Sequence, residues 1–411
     1  MQLKKNKKKK KKILLFLVSQ PLTQHLCKRI GVNTSYKNWQ MLYWNFLPLL
    51  KKNVDKVYSD EKKLIQKGKN YIRINSFLDL YRECHKIPKD FYFVNFAGDF
   101  FLTSLLDRFL YFRGGTKLLI HPGKSCEYKK NRIKYFNIIR DLINLNKIYL
   151  IKKSIGHLIE RIKIILNNFI QTRPKILFAG NYKTYLEFKK DFKNQQVFKI
   201  NGHDFDNFIN LKQKKTKEKN IVFIDQMLDN PFEFNMRKGL FARFSPSITE
   251  NYWESMEKFF NLVIKKFPKN NFLVAAHHRR NKSKIPINKK FVFNKTTQLI
   301  RDAKLVLCHN STAHKLAVLF RRPIIFVNMD LFKLKSYEVV EETNELSKEL
   351  GTYTVKINKN GIQNKENIDL KKILKINKKK YEKFQSNFIC FPNYKNYGLW
   401  KTILQQLDSR K

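Results

Sequence analysis

Several features are scarce in this chain of 411 residues. It has only five cysteines, widely spaced and never in a CxxC arrangement, which argues against a disulfide framework and a zinc site. It has no apolar run of the roughly 20 residues that a membrane-spanning helix needs. The apolar segment 13–18 after the lysine-rich start is also too short for a signal peptide, so residues 1–12 are predicted to be a disordered basic arm. These absences indicate a protein of the reducing cytoplasm.

Acidic residues are also few, with 33 against 84 basic ones, and the formal net charge is +51. Such a charge suggests nucleic acid or an anionic membrane as a binding partner. The basic residues are spread along the whole chain and rarely cluster with aromatic residues, as a nucleic-acid surface requires. We therefore expect solvated basic faces and a peripheral contact with an anionic membrane, and we expect no nucleic-acid partner.

The apolar pattern alternates between short strand-like runs and amphipathic helical stretches, which predicts parallel sheets. The predicted class is α/β with two Rossmann-like domains whose parallel sheets face across a cleft. A polar segment without periodicity separates the two halves. The predicted units are the arm at 1–12, a first domain at 13–210, a linker at 211–220, a second domain at 221–380, and C-terminal helices at 381–411 that can pack back on the first domain.

Basic and hydroxyl residues follow apolar runs in the second half of the chain. One run ends in His277, His278 and Arg279, and another ends in a segment that carries His309, Ser311 and Thr312 before a helical pattern. Open α/β sheets bind phosphates at the carboxyl ends of their strands and at helix N-termini. The sequence therefore predicts a site for a phosphate-bearing ligand, most simply a nucleotide.

The same segments resemble bacterial surface (capsular) carbohydrate biosynthesis proteins. The resemblance covers most of the chain and is carried by 12–18 with 21–23 and 29–31, by AAHHRR at 275–280, by 296–327 and, more weakly, by 198–208. The two motifs of the second half are similar to the His-Pro and Ser-Ser/Thr motifs of bacterial sialyltransferases and CDP-glycerol glycerophosphotransferases. His278 departs from these families, which have proline there.

The resemblance implies a metal-independent GT-B glycosyltransferase, with the acceptor on the first domain and a nucleotide-sugar donor, most simply CMP-activated, on the second. It implies no cofactor besides that donor, which is a substrate. The partners implied are the nucleotide sugar and a glycan or lipid-linked acceptor. The residues implied for donor binding are His277, Arg279, Thr296, Thr297, His309, Ser311 and Thr312.

Catalysis by inversion needs a general base, and an acidic residue of the first domain is the usual choice. Asp99 is the first candidate because it follows Gly98 at the end of a predicted strand, and His277 is the second catalytic candidate, as an acid toward the leaving phosphate. Asp225 is the fallback base. The only Asp-x-Asp triplet, at 204–206, is interpreted as structural.

A purely structural role is an alternative for each of these residues. Ser311 and Thr312 could cap a helix, as could Thr296 and Thr297, and Asp99 could cap the helix that it begins. The histidines of these segments and Arg280 could be structural groups whose hydrogen bonds are satisfied within the chain. The alternative functions are a CDP-polyol phosphotransferase, a sugar-nucleotide epimerase, and a non-catalytic nucleic-acid-binding or assembly protein.

Overall fold

The structure is a computed structural model. It describes residues 11–19, 27, 29–31, 36, 38–50, 70–97, 101–121, 170, 172–212, 218–229, 246–278, 280, 282, 285, 287–329, 337–358, 361–362, 373–391 and 398–410. The candidate residues Asp99 and Arg279 lie outside these residues, and so does most of the predicted basic arm at 1–12. The apolar pattern also predicts a helical region at 135–170, of which only the last residue is described.

The first half of the chain forms a parallel sheet. Its strands are β1 (Lys12–Val18), β2 (Trp39–Asn45), β3 (Tyr71–Arg73), β4 (Phe91–Asn95), β5 (Gly115–His121), β6 (Ile176–Ala179) and β7 (Gln196–Lys199). They are ordered β3-β2-β1-β4-β5-β6-β7, with every pair parallel. The chain thus leaves β1 in one direction and resumes on its other side with β4, so the topological switch point lies between β1 and β4.

The second half repeats this arrangement. Its strands are β8 (Asn220–Ile224), β9 (Asn271–Ala275), β10 (Phe291–Val292), β11 (Ala303–Cys308), β12 (Ile324–Met329), β13 (Tyr353–Asn358) and β14 (Gly361–Ile362). Their order is β10-β9-β8-β11-β12-β13-β14, and only the edge strand β14 is antiparallel. The predicted α/β class with two Rossmann-like parallel sheets is therefore confirmed.

Eleven helices in the described part of the chain cover the sheets. They are α1 (Leu47–Leu50), α2 (Phe77–Lys86), α3 (Phe101–Phe112), α4 (Tyr182–Asp191), α5 (His203–Lys212), α6 (Pro246–Lys266), α7 (Thr296–Arg301), α8 (His314–Leu319), α9 (Tyr337–Leu350), α10 (Lys378–Phe388) and α11 (Leu399–Asp408). None of these helices combines the length and the apolar character needed to cross a bilayer.

Burial on both sheet faces explains why most strands are visible in the sequence. All six residues of β12 are buried, and so are six of the seven residues of β1, because helices cover both sides of each sheet. Strand β2 was not predicted. Its sequence WQMLYWN mixes Gln40 and Asn45 with large aromatic residues, and so it lacks the uniform apolar run that marks the other central strands.

The predicted boundary near residue 210 differs from the packing. Helix α5 precedes the predicted linker and extends into it, yet its Phe205 and Phe208 pack against the core of the second domain, and the Phe208 ring lies 5.0 Å from that of Phe320. Helix α11, at the end of the chain, packs on the first sheet instead, where the Trp400 Nε1 donates to the carbonyl of Arg29 at 2.8 Å.

One hydrogen bond links these two helices. The backbone N–H of Leu399 donates to Asp206 Oδ2 at 2.8 Å, so this aspartate of the 204–206 triplet caps the start of α11. The contact gives Asp206 a structural role.

Candidate active site

The register of the second sheet places three polar residues at the same level of its carboxyl-end edge. Ile224 of β8 is paired with Ala275 of β9 and with Cys308 of β11. Two residues further along each strand path stand Gln226, His277 and Asn310. Neighbouring strands are about 4.8 Å apart, so His277 and Asn310 stand roughly 10 Å apart on either side of β8. The topological switch point of this sheet lies between β8 and β11, where such sheets bind ligands.

A buried ionic cluster lies directly beneath this edge. The Arg280 guanidinium pairs through two nitrogens with Asp225, its Nη2 donates to Asp225 Oδ1 at 2.8 Å, and it also donates to Asp229 Oδ1 at 2.7 Å. The guanidinium carbon lies 5.1 Å from the ring centroid of Trp253, whose Nε1 donates to Asp229 Oδ2 at 2.6 Å. All four groups are buried, so two carboxylates share one cation away from water.

The cluster keeps Arg280 charged. Burial by itself lowers the pKa of Arg280, but the hydrogen bonds and charges of Asp225 and Asp229 outweigh it and raise the pKa above its ordinary value. The structure therefore gives Arg280 a structural position, one of the two interpretations that the sequence left open.

Asp225 fixes the backbone of the site. Its Oδ1 accepts from the N–H of Met227 at 2.9 Å, and its Oδ2 accepts from the N–H of His277 at 3.1 Å. With both oxygens also bound to Arg280, this carboxylate is saturated and buried. It does not suit the role of general base, for which it was the fallback candidate, because a base must meet the acceptor hydroxyl.

His277 is half-buried and lies two residues after the end of β9, with its backbone N–H held by Asp225. Its Nδ1 lies 3.2 Å from Met227 Sδ, and its ring centroid lies 4.3 Å from that of His278. Met227 has a φ of +53°, a left-handed conformation that is uncommon for a residue with a side chain. The turn after β8 therefore brings the Met227 sulfur into contact with Nδ1 of the imidazole and helps to orient the ring.

A chain of side-chain hydrogen bonds continues across the switch point. Gln226 Nε2 donates to Asn310 Oδ1 at 3.0 Å, and Asn310 Nδ2 donates to Glu342 Oε2 on α9 at 2.9 Å. These two hydrogen bonds connect the ends of β8 and β11 with α9, so the three elements form one polar edge. Neither Gln226 nor Glu342 was predicted, because no motif in the sequence marks them.

The resemblance places Ser311 and Thr312 at the first turn of a helix, but in the structure they lie in the turn before α8. The helix begins at His314, its N-cap is Ala313, and no side chain caps it. Ser311 Oγ accepts from the N–H of Ala313 at 3.3 Å, and the carbonyls of Ser311 and Thr312 accept from the third residue along, as in a 3₁₀ turn. Ser311 is half-buried and Thr312 is exposed, so both reach the surface beside Asn310.

His309 lies inside the core, unlike the position expected for a donor ligand. Its residue is 0% exposed, Nδ1 is 2.5 Å from the carbonyl oxygen of Val327, and Nε2 is 3.0 Å from the Tyr252 hydroxyl. Burial lowers the pKa of His309 to about 4. The ring packs against Phe223 and Tyr252, on the sheet face that α6 covers, and a motif alone does not reveal this packing.

Thr296 and Thr297 are the first two residues of α7 and are half-buried. Lys295 is the N-cap, and no side chain accepts a capping hydrogen bond there, so the interpretation of these threonines as caps is wrong. They follow β10, which pairs with the end of β9, and therefore lie on the His277 side of the edge. Arg279, like Asp99, lies outside the described residues.

Comparisons with known proteins complete the description of the site. No family model matches the chain, and no curated protein sequence does. The fold is similar to that of a UDP-GlcNAc 2-epimerase of Methanocaldococcus jannaschii in complex with UDP-GlcNAc and UDP, at 14% identity and a TM-score of 0.44, covering 97% of this chain and 99% of that one. It is also similar to the wall teichoic acid polymerase TagF, at 12% identity and a TM-score of 0.45, covering 97% and 88%. Anabaena HepE in complex with UDP and glucose is 11% identical, with a TM-score of 0.41, covering 97% and 100%. At such TM-scores these likenesses do not assign a reaction to this chain.

Proposed function

We propose that this chain is a metal-independent GT-B glycosyltransferase of surface polysaccharide biosynthesis, transferring a sugar from a nucleotide donor, most simply CMP-activated, to a glycan or lipid-linked acceptor. The observation that carries the proposal is the common edge of the second sheet. His277 lies on one side of β8 at this edge, and Asn310 lies on the other side with the hydroxyls of Ser311 and Thr312 after it. A nucleotide sugar is long enough to bridge the roughly 10 Å between β9 and β11.

The residues of this edge supply what the departure of a nucleotide requires. Glycosyl transfer develops negative charge on the leaving phosphate, and preorganised donors stabilise that charge. The His277 imidazole donates an N–H to a phosphoryl oxygen, while the hydroxyls of Ser311 and Thr312 donate from the other side of β8. The buried Asp225–Arg280 pair holds the His277 backbone in place before the donor arrives, so little reorganisation is needed.

A thermal-shift screen against CMP, CDP, UDP and GDP tests the donor site. At ligand concentrations of about 100 times Kd, wild-type protein is expected to gain a few degrees in Tm with cytidine nucleotides. His277→Ala and Ser311→Ala are expected to lose most of that gain, because each removes a donor to the phosphate. Matched controls are His85→Ala on α2, at an exposed position, and Ser386→Ala on α10, which is half-buried as Ser311 is; both lie far along the chain from this edge.

Several outcomes would contradict the proposal. Equal shifts in all five proteins would show that the nucleotide does not bind at this edge. The absence of a shift with every nucleotide would refute the proposed glycosyltransferase. A shift specific to uridine would replace the CMP-activated donor. Conversion of a nucleotide sugar without any acceptor would point to the epimerase, and salt-dependent retention on RNA without a nucleotide shift would favour the non-catalytic alternative.

A further inference from the structure

The carboxyl-end edge of the second sheet includes a carboxylate that the proposed function does not use. Glu342 lies on α9, and its Oε2 accepts from Asn310 Nδ2 at 2.9 Å, whereas Asn310 Oδ1 accepts from Gln226 Nε2 at 3.0 Å. All three side chains are half-buried. A negative charge so close to a phosphate site repels the phosphate, so the carboxylate must contribute something that offsets this repulsion.

Glu342 sets the direction of this series of hydrogen bonds. The side-chain amides of Gln226 and Asn310 each have an oxygen and a nitrogen of nearly the same shape, so either amide can turn over and exchange the two roles. The ionised carboxylate of Glu342 only accepts, and the nitrogen of Asn310 must therefore face it. The oxygen of Asn310 is then left for the nitrogen of Gln226. One charged acceptor thus fixes both amides in a single orientation.

The helix that carries Glu342 is itself held firmly on the sheet. Asn328 of β12 is buried, and its Nδ2 donates to the carbonyl of Val340 at 3.3 Å and to Asn344 Oδ1 at 3.2 Å. The hydroxyl of the buried Thr343, which adjoins Glu342 in the chain, contacts Asn328 Oδ1. Glu342 therefore extends from a rigid part of the domain, as a side chain that orients another one requires.

Asn310 connects this anchor to the turn that carries the hydroxyls. Strand β11 ends at Cys308, and Ser311 follows Asn310 directly. The Asn310 side chain ties this stretch of backbone to the end of β8 and to α9. Ser311 Oγ accepts from the N–H of Ala313 at 3.3 Å, which leaves the hydroxyl hydrogen to donate to a ligand. The position of that donor therefore depends on the two hydrogen bonds of Asn310.

From these contacts we propose that Glu342 is a positioning residue of the nucleotide site, which acts through Asn310 to place Ser311 against the nucleotide phosphate. This role rests on the proposed function, because it requires a phosphate at this edge. Hydrogen bonds to a charged group are stronger than neutral ones, so the loss of the Glu342 acceptor is expected to weaken nucleotide binding about ten-fold.

Two substitutions of Glu342 separate positioning from charge. Calorimetric titration with CMP, or with whichever nucleotide of the screen shifts the wild type most, gives Kd for each protein. Glu342→Ala removes the acceptor and is expected to raise Kd about ten-fold. Glu342→Gln keeps an acceptor oxygen for Asn310 and removes the repulsive charge, so its Kd is expected to equal or fall below that of wild type. Charge repulsion alone predicts tighter binding by both variants.

An exchange that conserves net charge tests the path through Asn310. Asn310→Asp alone sets two carboxylates against each other and is expected to raise Kd more than about ten-fold. Combined with Glu342→Gln it restores the net charge and re-forms the hydrogen bond with donor and acceptor reversed, so most of the lost affinity is expected to return. Asn310→Asp combined with Glu345→Gln removes the same charge from α9 without re-forming the bond, and it is expected to bind as weakly as Asn310→Asp.

Glu345→Ala is the matched single control. Glu345 is half-buried on the same helix, and among the described residues no hydrogen bond joins it to Asn310, so this variant is expected to bind the nucleotide as wild type does. The Tm of each variant is measured without nucleotide beside its Kd. A contact with a purely structural role would lower this Tm and leave the Kd of the folded protein unchanged.

Three results would overturn the inference. One is a wild-type Kd for Glu342→Ala. Another is equally weakened binding by Glu342→Ala and Glu342→Gln, which would mean that the carboxylate contacts the nucleotide itself. The last is equal binding by the two double variants. Each of these leaves the nucleotide site standing, whereas a folded wild type that binds none of the four nucleotides refutes the proposed function and the role of Glu342 with it.

Discussion

Replacing Arg280 with methionine is expected to lower the free energy of unfolding by about 3–5 kcal/mol. The substitution removes the cation that Asp225 and Asp229 share, so two buried carboxylates lose the positive charge that balances them. Asp225 also holds the N–H groups of Met227 and His277, so its displacement disturbs the candidate donor site as well. Denaturant unfolding of wild type and variant, followed by tryptophan fluorescence, measures the loss.

Two further variants show whether the loss arises from removing the cation between the two carboxylates. Arg301→Met removes a guanidinium that pairs with the partly exposed Asp302, and it is expected to cost at most about 1 kcal/mol. Adding Asp225→Asn and Asp229→Asn to Arg280→Met neutralises the orphaned charges and is expected to recover part of the stability. A loss of under 1 kcal/mol for Arg280→Met alone would contradict the buried pairing described here.

Mild acid is expected to destabilise the second domain through two histidines. Burial lowers the pKa of His309 and of His314 from the ordinary 6.5 to about 4. For His314, Nδ1 contacts the carbonyl of Ser311, and Nε2 is buried among Phe326 and Phe384 without an acceptor, so a proton there has no partner. Both groups bind a proton more readily in the unfolded chain than in the folded one.

The sign and the size of the effect follow from this difference. The stability that the neutral imidazoles contribute is fully present above pH 6.5 and is lost as the pH falls toward 4. Each histidine accounts for about 3 kcal/mol at the lower limit, at about 1.4 kcal/mol per unit of pKa. Unfolding free energies measured in denaturant from pH 7 to pH 4 are expected to fall accordingly.

A substitution isolates one of the two histidines. His314→Leu fills the same apolar space without a titrating group, so its stability is expected to fall by about 3 kcal/mol less than that of wild type over this range. His85→Leu, at an exposed position on α2, is expected to follow the wild-type curve. If His314→Leu and wild type lost the same stability, the buried neutral imidazole would be excluded as a cause of acid sensitivity.

The predicted strands of the second domain show how far local pattern reaches. The apolar runs of β9 and β11, which end before His277 and His309, could be recognised in the sequence because burial between the sheet faces and their helices favours apolar residues. The placement of His277 and Ser311 after such runs could be inferred for the same reason. Strand β2 and the start of α8 were missed or misplaced, because mixed polarity and a turn with 3₁₀ hydrogen bonds leave no clear local mark.

The sequence by itself determined the alternation of strands and helices, because residues that are buried recur with the short apolar period of each element. Two parallel sheets with polar residues at the carboxyl ends of their strands follow from that alternation. Only the tertiary structure decided which of those polar side chains point outward. His309 turns into the core, and Arg280 finds its partner Asp225 at a separation of 55 residues. Such pairings follow from strand register and packing between distant segments, and no local pattern encodes them.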